Sequence, residues 1–297
     1  KSREGVRCCC IGPRFVVQRL VGTPHTSCCY RCPICLRTDI STCEAVITIG
    51  IVLRFKGNVA MSEQANNGCA ADFGVRLIGC ADDSVLPIDM HDYVEALCRC
   101  TLIDKTMFIA DTLDCDASVM VCCRPEGFGK SMNLSMLRAF LERPVVGRAG
   151  RISFADTLIW GADGGRYRDE HACYPVISLD FSGAARCGAA VADVVRDALS
   201  NECARLLALL EAPDLARDKV RHIERVARGV ASEAEVDTVL GVLIELLEMA
   251  CDEQVVLLVD GYDAAWSRLA SARDASVAGP AELLDRVLFD SIVAADD

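Results

Sequence analysis

Between residues 82 and 266 the chain alternates short apolar runs with stretches whose apolar residues recur every three or four positions. "SVMVCC" (118–123), "YPVISLDF" (174–181) and "QVVLLVDGYDAAW" (254–266) carry the apolar runs, each of a length that suits a buried strand. After the first run, Met132, Met136, Leu137, Phe140 and Leu141 fall at helical spacing, and Pro144 marks the stop. Further helices are predicted from Val191 to about Leu210 and through 214–250, including "VDTVLGVLIELLEMA" (236–250). Upstream, "DDSVLPIDMHDYVEALCRC" (82–100) reads as an extended segment and then a helix, because Pro87 disfavours helix before it and Asp89 can cap the turn. "TLIDKTMFIADTLD" (101–114) sets Asp104 ahead of a second helical spacing at Met107, Phe108 and Leu113. Residues 145–173 read as irregular, with "GADGG" (161–165) as a turn. Strands and helices in alternation predict an α/β domain of three layers around a mainly parallel sheet.

Composition changes this picture at the amino-terminal end. Residues 1–60 hold nine Lys/Arg against three Asp/Glu, whereas 61–297 hold 22 against 40, so a net +6 and a net −18 make up the total of −12. The larger part offers no general electrostatic attraction to nucleic acid. Eight of the nineteen cysteines also lie in 1–60, and the first Met is Met61. This reads as a basic, Cys-rich extension (1–60), disordered or non-native, a linker (61–83), and a domain from 84 to 297. The apolar run "AVITIGIVL" (45–53) is about half the length a membrane-spanning helix needs. A soluble, intracellular protein with reduced thiols is expected. "CPIC" (32–35) has zinc-ligand spacing, but only the irregular Cys8–Cys10 cluster or His25 could complete a site.

The chemistry concentrates in "CCRPEGFGKSMNLSML" (122–137), which lies between a predicted strand and a predicted helix. A phosphate loop needs backbone N–H groups converging at a helix start, and glycines where the backbone nears the ligand. Gly127 and Gly129 meet that need; Lys130 is positioned for the β- and γ-phosphates and the Ser131 hydroxyl for Mg²⁺. Arg124 stands where the general pattern has its first glycine. The run "VVLLVD" (255–260) supplies the complementary acid, Asp260, at the carboxyl end of a strand, to hold the metal. Asp180 ends the "VISLD" strand in the same manner.

Taken in order, "LPIDMHDYVEAL…LIDKTMFI", the 122–137 loop, "YPVISLDFS" and "ASEAEVDTVL…QVVLLVDGYDAAW" resemble the AAA-ATPase-like family across roughly residues 84–290. The resemblance implies a P-loop NTPase fold, a three-layer sandwich, and ATP with Mg²⁺ as ligands. Arg124, Pro125, Gly127, Phe128, Gly129, Lys130, Ser131 and Met132 would surround the nucleotide, and Ser131 with Asp260 would hold the metal. In that family an arginine at the Arg124 position is usual, and a PD-(D/E)xK nuclease-like domain commonly follows, so nucleic acid enters only by analogy. Glu126 and Gly127 stand where the family loop usually has two arginines, which predicts weaker phosphate affinity. Gly261 stands where the family has the glutamate that activates water, which predicts weak or absent hydrolysis; losing such a group costs about 10²–10⁴ in rate. The chain ends at Asp297, before the next expected strand, and so reads as truncated there.

Two alternatives stay open at this level. Lys130 with Asp180 or Asp263 as replacement base would make a competent ATPase, and loss of the site would leave a nucleotide-free interaction scaffold with a protein partner or a second copy. His25, His91, His171 and His222 show no metalloprotease spacing, and no G-x-S-x-G elbow occurs. Trp160 and Trp266 are expected to pack.

Overall fold

A computed structural model describes residues 6–8, 16–17, 47–54, 76–79, 86–115, 119–125, 127–145, 152–183, 191–262 and 287–288, with backbone alone for the segments up to 54 and for 123–125. Eight strands are described: β1 (Val6–Cys8), β2 (Val16–Val17), β3 (Ile47–Arg54), β4 (Leu77–Gly79), β5 (Thr101–Ile103), β6 (Val119–Pro125), β7 (Val176–Asp180) and β8 (Val256–Asp260). Six form one sheet in the order β2-β1-β6-β3-β8-β7, and β4 pairs with β5 separately. β7 and β8 are parallel, in register from Val176↔Val256 to Asp180↔Asp260. β3 is antiparallel to both β6 and β8, so β6, β8 and β7 all run one way. Their carboxyl ends therefore share one edge of the sheet, which is where an open α/β sheet presents its ligand crevice.

The helices are α1 (Tyr93–Arg99), α2 (Met107–Leu113), α3 (Lys130–Leu141), α4 (Leu158–Gly161), α5 (Val191–Leu206), α6 (Arg217–Ala227) and α7 (Glu233–Cys251). Side chains along β7 and β8 alternate between two cores. Ile177, Leu179, Leu257 and Val259 pack with Val195 and Leu199 of α5, Ile223 of α6 and Leu240, Ile244 and Leu247 of α7. Val176, Val256 and Leu258 pack with Ala96 of α1, Ile109 of α2, Leu137, Phe140 and Leu141 of α3 and Ile159 of α4. The period of two in the strands thus covers both sheet faces with helices. Each of these fully buried aliphatic side chains contributes about 1.5–3 kcal/mol relative to exposure.

Three local features differ from the sequence reading. Asp92, not Asp89, caps α1, its carboxylate accepting from the Glu95 N–H at 2.9 Å, while Asp89 sits in the preceding turn with φ 55°. Residues 158–170 are not irregular: α4 is followed by a 3₁₀ segment, Ala162–Glu170, broken by positive φ at Asp163, Gly164 and Gly165. The run "ITIGIVLR", for which the sequence reading set no strand, forms β3 in the slot between β6 and β8. Its β-branched residues suit a buried strand, and their pairing to β6 and β8 is long-range. Cys32, Cys35 and His25 lie outside the described residues, as do Asp263 and Trp266. The seven described cysteines with placed side chains are free thiols. Among the described residues no helix is long and apolar enough to cross a membrane.

Candidate functional site

Strand β6 delivers the chain into the loop 126–129 at the sheet edge, and α3 begins at its far side. Gly127 and Gly129 take φ 79° and 74°, the left-handed region where a side chain is strained. The space over them is open. A β-carbon on Gly127 would meet nothing within 4 Å, and one on Gly129 only the Lys105 Nζ, at 3.9 Å. Gly129 occupies the N-cap of α3, and no side chain caps the helix. The helix therefore lacks the N-cap side chain that Asp92 gives α1 and Ser232 gives α7.

Beneath the loop, side chains from three elements converge. Lys130 is buried at the start of α3. The Ser131 hydroxyl lies close enough to the Asp260 carboxylate, at the end of β8, to favour its charged form. Burial raises the Asp260 pKa above the ordinary carboxylate value; the Ser131 hydroxyl opposes this, the nearby Asp180 adds to it, and the Gly261 N–H and Lys130 oppose it. The Gly261 N–H donates to Asp260 Oδ1 at 3.0 Å. Asp180 is the in-register neighbour of Asp260 across the parallel pair, is exposed, and accepts from the Ser182 N–H at 2.8 Å. It lines a cleft with Asp197, Asn201 and Glu202.

Of the residues picked from sequence, Gly127, Gly129, Lys130, Ser131, Asp180 and Asp260 are brought to one edge. Phe128 is 62% exposed at the loop tip, while the Met132 side chain packs on the core beside α3. Arg124 and Pro125 end β6, with only their backbone described, and Glu126 lies outside the described residues. Ser131 and Asp260 are oxygen donors of the kind Mg²⁺ takes, with a nucleotide's phosphates supplying further oxygens. Among the described residues no three His, Cys, Asp or Glu side chains form a metal cluster. Two of the four histidines are engaged otherwise: His171 packs edge-on against Phe140, Phe154 and Trp160, and the His222 Nε2 is 2.7 Å from the Glu235 carbonyl oxygen.

Two features were not legible in the sequence. Lys105, in "LIDKTMFI", reaches the loop from 24 positions upstream of Gly129. Gly261 is locked: with φ 66°, a β-carbon there would stand 2.4 Å from the Ser182 backbone nitrogen and 2.7 Å from its Cα. The glycine is a packing requirement of the β7–β8 edge, and a glutamate does not fit without backbone movement.

No curated protein and no solved structure matches the chain significantly. The family described as predicted AAA-ATPase matches residues 87–283, which span the loop, α3 and all of β7 and β8. Because that match covers more than half of the 297 residues, the chain belongs to the AAA-ATPase-like family.

Proposed function

We propose that the protein is a P-loop nucleotide-binding domain, a three-layer sandwich that holds ATP with Mg²⁺ and turns it over slowly. The observation that carries this reading is the proximity of the Ser131 hydroxyl to the Asp260 carboxylate, which brings the start of α3 and the end of β8 together beside a left-handed glycine loop. A loop that merely capped a helix would have no use for a half-buried acid from a distant strand. Arg124, Pro125 and the backbone from Gly127 to Met132 would surround the phosphates, with Phe128 exposed at the loop tip. Lys130 takes the β- and γ-phosphate oxygens, and Ser131 and Asp260 hold the metal. Bound Mg²⁺ would neutralise charge between the β- and γ-phosphates. The same reading takes 84–297 as the P-loop domain and 61–83 as the linker before it, with nucleotide as the main partner.

Slow turnover follows from Gly261, which leaves no carboxylate at the usual water-activating position. Asp180 is the replacement base best supported by position, since it neighbours Asp260 in register and its side chain is exposed to solvent. Asp180→Asn is expected to lower a measured turnover at least tenfold while leaving Mg-ATP affinity within about threefold.

The binding reading is tested by thermal unfolding of the 297-residue chain with and without Mg-ATP, alongside Lys130→Ala. Ligand at 100 times its Kd stabilises a fold by about 2.7 kcal/mol. For a domain of this size that raises Tm by about 5–10 °C. A shift that Lys130→Ala abolishes supports the site. No shift at millimolar Mg-ATP, in a sample that melts cooperatively, would leave a nucleotide-free scaffold.

A further inference from the structure

We infer that Lys105 is a second phosphate-binding cation, reaching over Gly129 to the polyphosphate of the nucleotide; this rests on the nucleotide-binding reading and adds a residue to it. The first support is position. The Lys105 ammonium nitrogen lies 3.9 Å from where a Gly129 β-carbon would stand, over the glycine that immediately precedes Lys130. The space above that glycine is otherwise open, so the ammonium borders the volume that an anion on the loop would fill.

The second support is how the lysine is held. Its neighbours on both sides are buried and fixed, while Lys105 itself is exposed. Asp104 Oδ1 accepts from the Thr106 N–H at 2.9 Å and from the Thr106 hydroxyl at 2.6 Å. Asp104 Oδ2 accepts from the Leu158 N–H at 2.8 Å, and Thr106 Oγ1 accepts from the Ile159 N–H at 3.1 Å. The Asp104 N–H donates to the Arg76 carbonyl at 2.8 Å. Two of these bonds tie Asp104 to Thr106 across the lysine and three hold the pair to two other segments, so the lysine backbone between them has little freedom. Positioning of this kind lowers the entropy lost when a side chain binds its ligand.

The third support is charge. The chain carries only five lysines in a net charge of −12, and two of them, Lys105 and Lys130, meet at this loop. Lys105 directly precedes Thr106, the N-cap of α2, on the side of the helix dipole that disfavours a cation. It makes no ion pair among the described residues. A lysine held against its local helix and without a carboxylate partner fits a phosphate ligand.

The test is equilibrium binding of Mg-ATP and of inorganic tripolyphosphate, which has no base or sugar, to the full chain and to Lys105→Met, Lys105→Arg and Lys130→Ala. Lys105→Met is expected to weaken both ligands by about tenfold or more, the loss typical of one charge-assisted hydrogen bond. Lys105→Arg should stay within about threefold of the parent, since it restores the charge. The ligand-free melting temperature of Lys105→Met should match the parent, because the side chain is exposed and the Asp104–Thr106 clamp is intact. Unchanged Mg-ATP affinity in Lys105→Met beside a loss in Lys130→Ala overturns the role of Lys105 and leaves the nucleotide site standing. Weaker ATP with unchanged tripolyphosphate binding also overturns it, by moving Lys105 away from the phosphates. Failure of the parent chain to bind either ligand overturns the nucleotide reading itself.

Discussion

Helix α3 ends in two charged clusters of opposite character. At its carboxyl end Glu142 pairs with Arg205, and Arg138 Nε approaches it at 3.3 Å. Arg205 also bonds Glu202 at 2.6 Å and the Val176 carbonyl at 2.6 Å, and Glu202 accepts from the Ser178 N–H at 3.1 Å. Every charge there faces an opposite charge, and the two arginines offset the unfavourable placement of Glu142 at a helix carboxyl end. At the amino end the N-cap glycine supplies no side-chain cap, two glycines hold positive φ with no described side chain packed on them, and one half-buried carboxylate carries a raised pKa. The closed cluster joins α3, α5 and β7 into one body. The open one holds a carboxylate whose charged form burial disfavours, a cost that a bound cation would offset on the proposed reading.

The largest expected effect comes from breaking the closed end. Arg205→Ala leaves Glu142 and Glu202, each with a side chain 10% exposed, without their main partner. Removing one member of a buried ionic cluster costs about 3–5 kcal/mol. The expected readout is a Tm lower by about 10 °C, with Mg-ATP affinity of the folded fraction unchanged. A variant that melts with the parent would dissolve the contrast between the two ends.

Gly261→Ala comes next. Left-handed backbone and close contact with Ser182 should cost about 1–3 kcal/mol, read as a loss of chemical-denaturation midpoint. Gly261→Glu is expected to be at least as destabilising and to restore no hydrolysis, because its side chain cannot start from the present backbone. A stable Gly261→Glu chain with raised turnover would instead mark the glycine as a simple lost catalytic group.

These expectations separate what the chain displays locally from what only folding creates. β6, β7, β8 and α3 were legible because "VMVCC", "VISLD" and "VVLLVD" are apolar enough to be buried, and because Met136, Leu137, Phe140 and Leu141 repeat at helical spacing. Lys130, Ser131 and Asp260 were legible as a phosphate-loop ending and a strand-terminal acid. β3 was hidden by the basic, Cys-rich composition around it, which outweighed eight residues of strand-forming sequence. The cap of α1 slipped from Asp89 to Asp92 because both aspartates precede an apolar spacing and only backbone geometry distinguishes them. Lys105 and the locking of Gly261 depend on contacts across the fold, to Gly129 and to Ser182, that no local pattern encodes.

The smallest effect on stability, and the sharpest on the meaning of the open end, is expected from Asp260→Asn. Burial makes the folded protein hold the Asp260 proton to higher pH than the unfolded chain does, for which a value of about 3.9 is ordinary. Between the two values the folded state binds more protons, so stability falls as pH rises through that window, and the cost is fully present at neutral pH. An asparagine retains an oxygen to accept from Ser131 or Gly261 and removes the charge. At neutral pH without ligand the variant should therefore match or slightly exceed the parent, within about 1 kcal/mol. Any advantage should vanish as pH drops below the carboxylate range, as melting in a pH series would measure. Stabilisation by Mg-ATP should shrink to that by ATP with a chelator, since the metal loses its charged oxygen. A variant destabilised by more than about 2 kcal/mol at neutral pH would make Asp260 a structural acid of the same kind as Glu142, and both ends of α3 would then be closed.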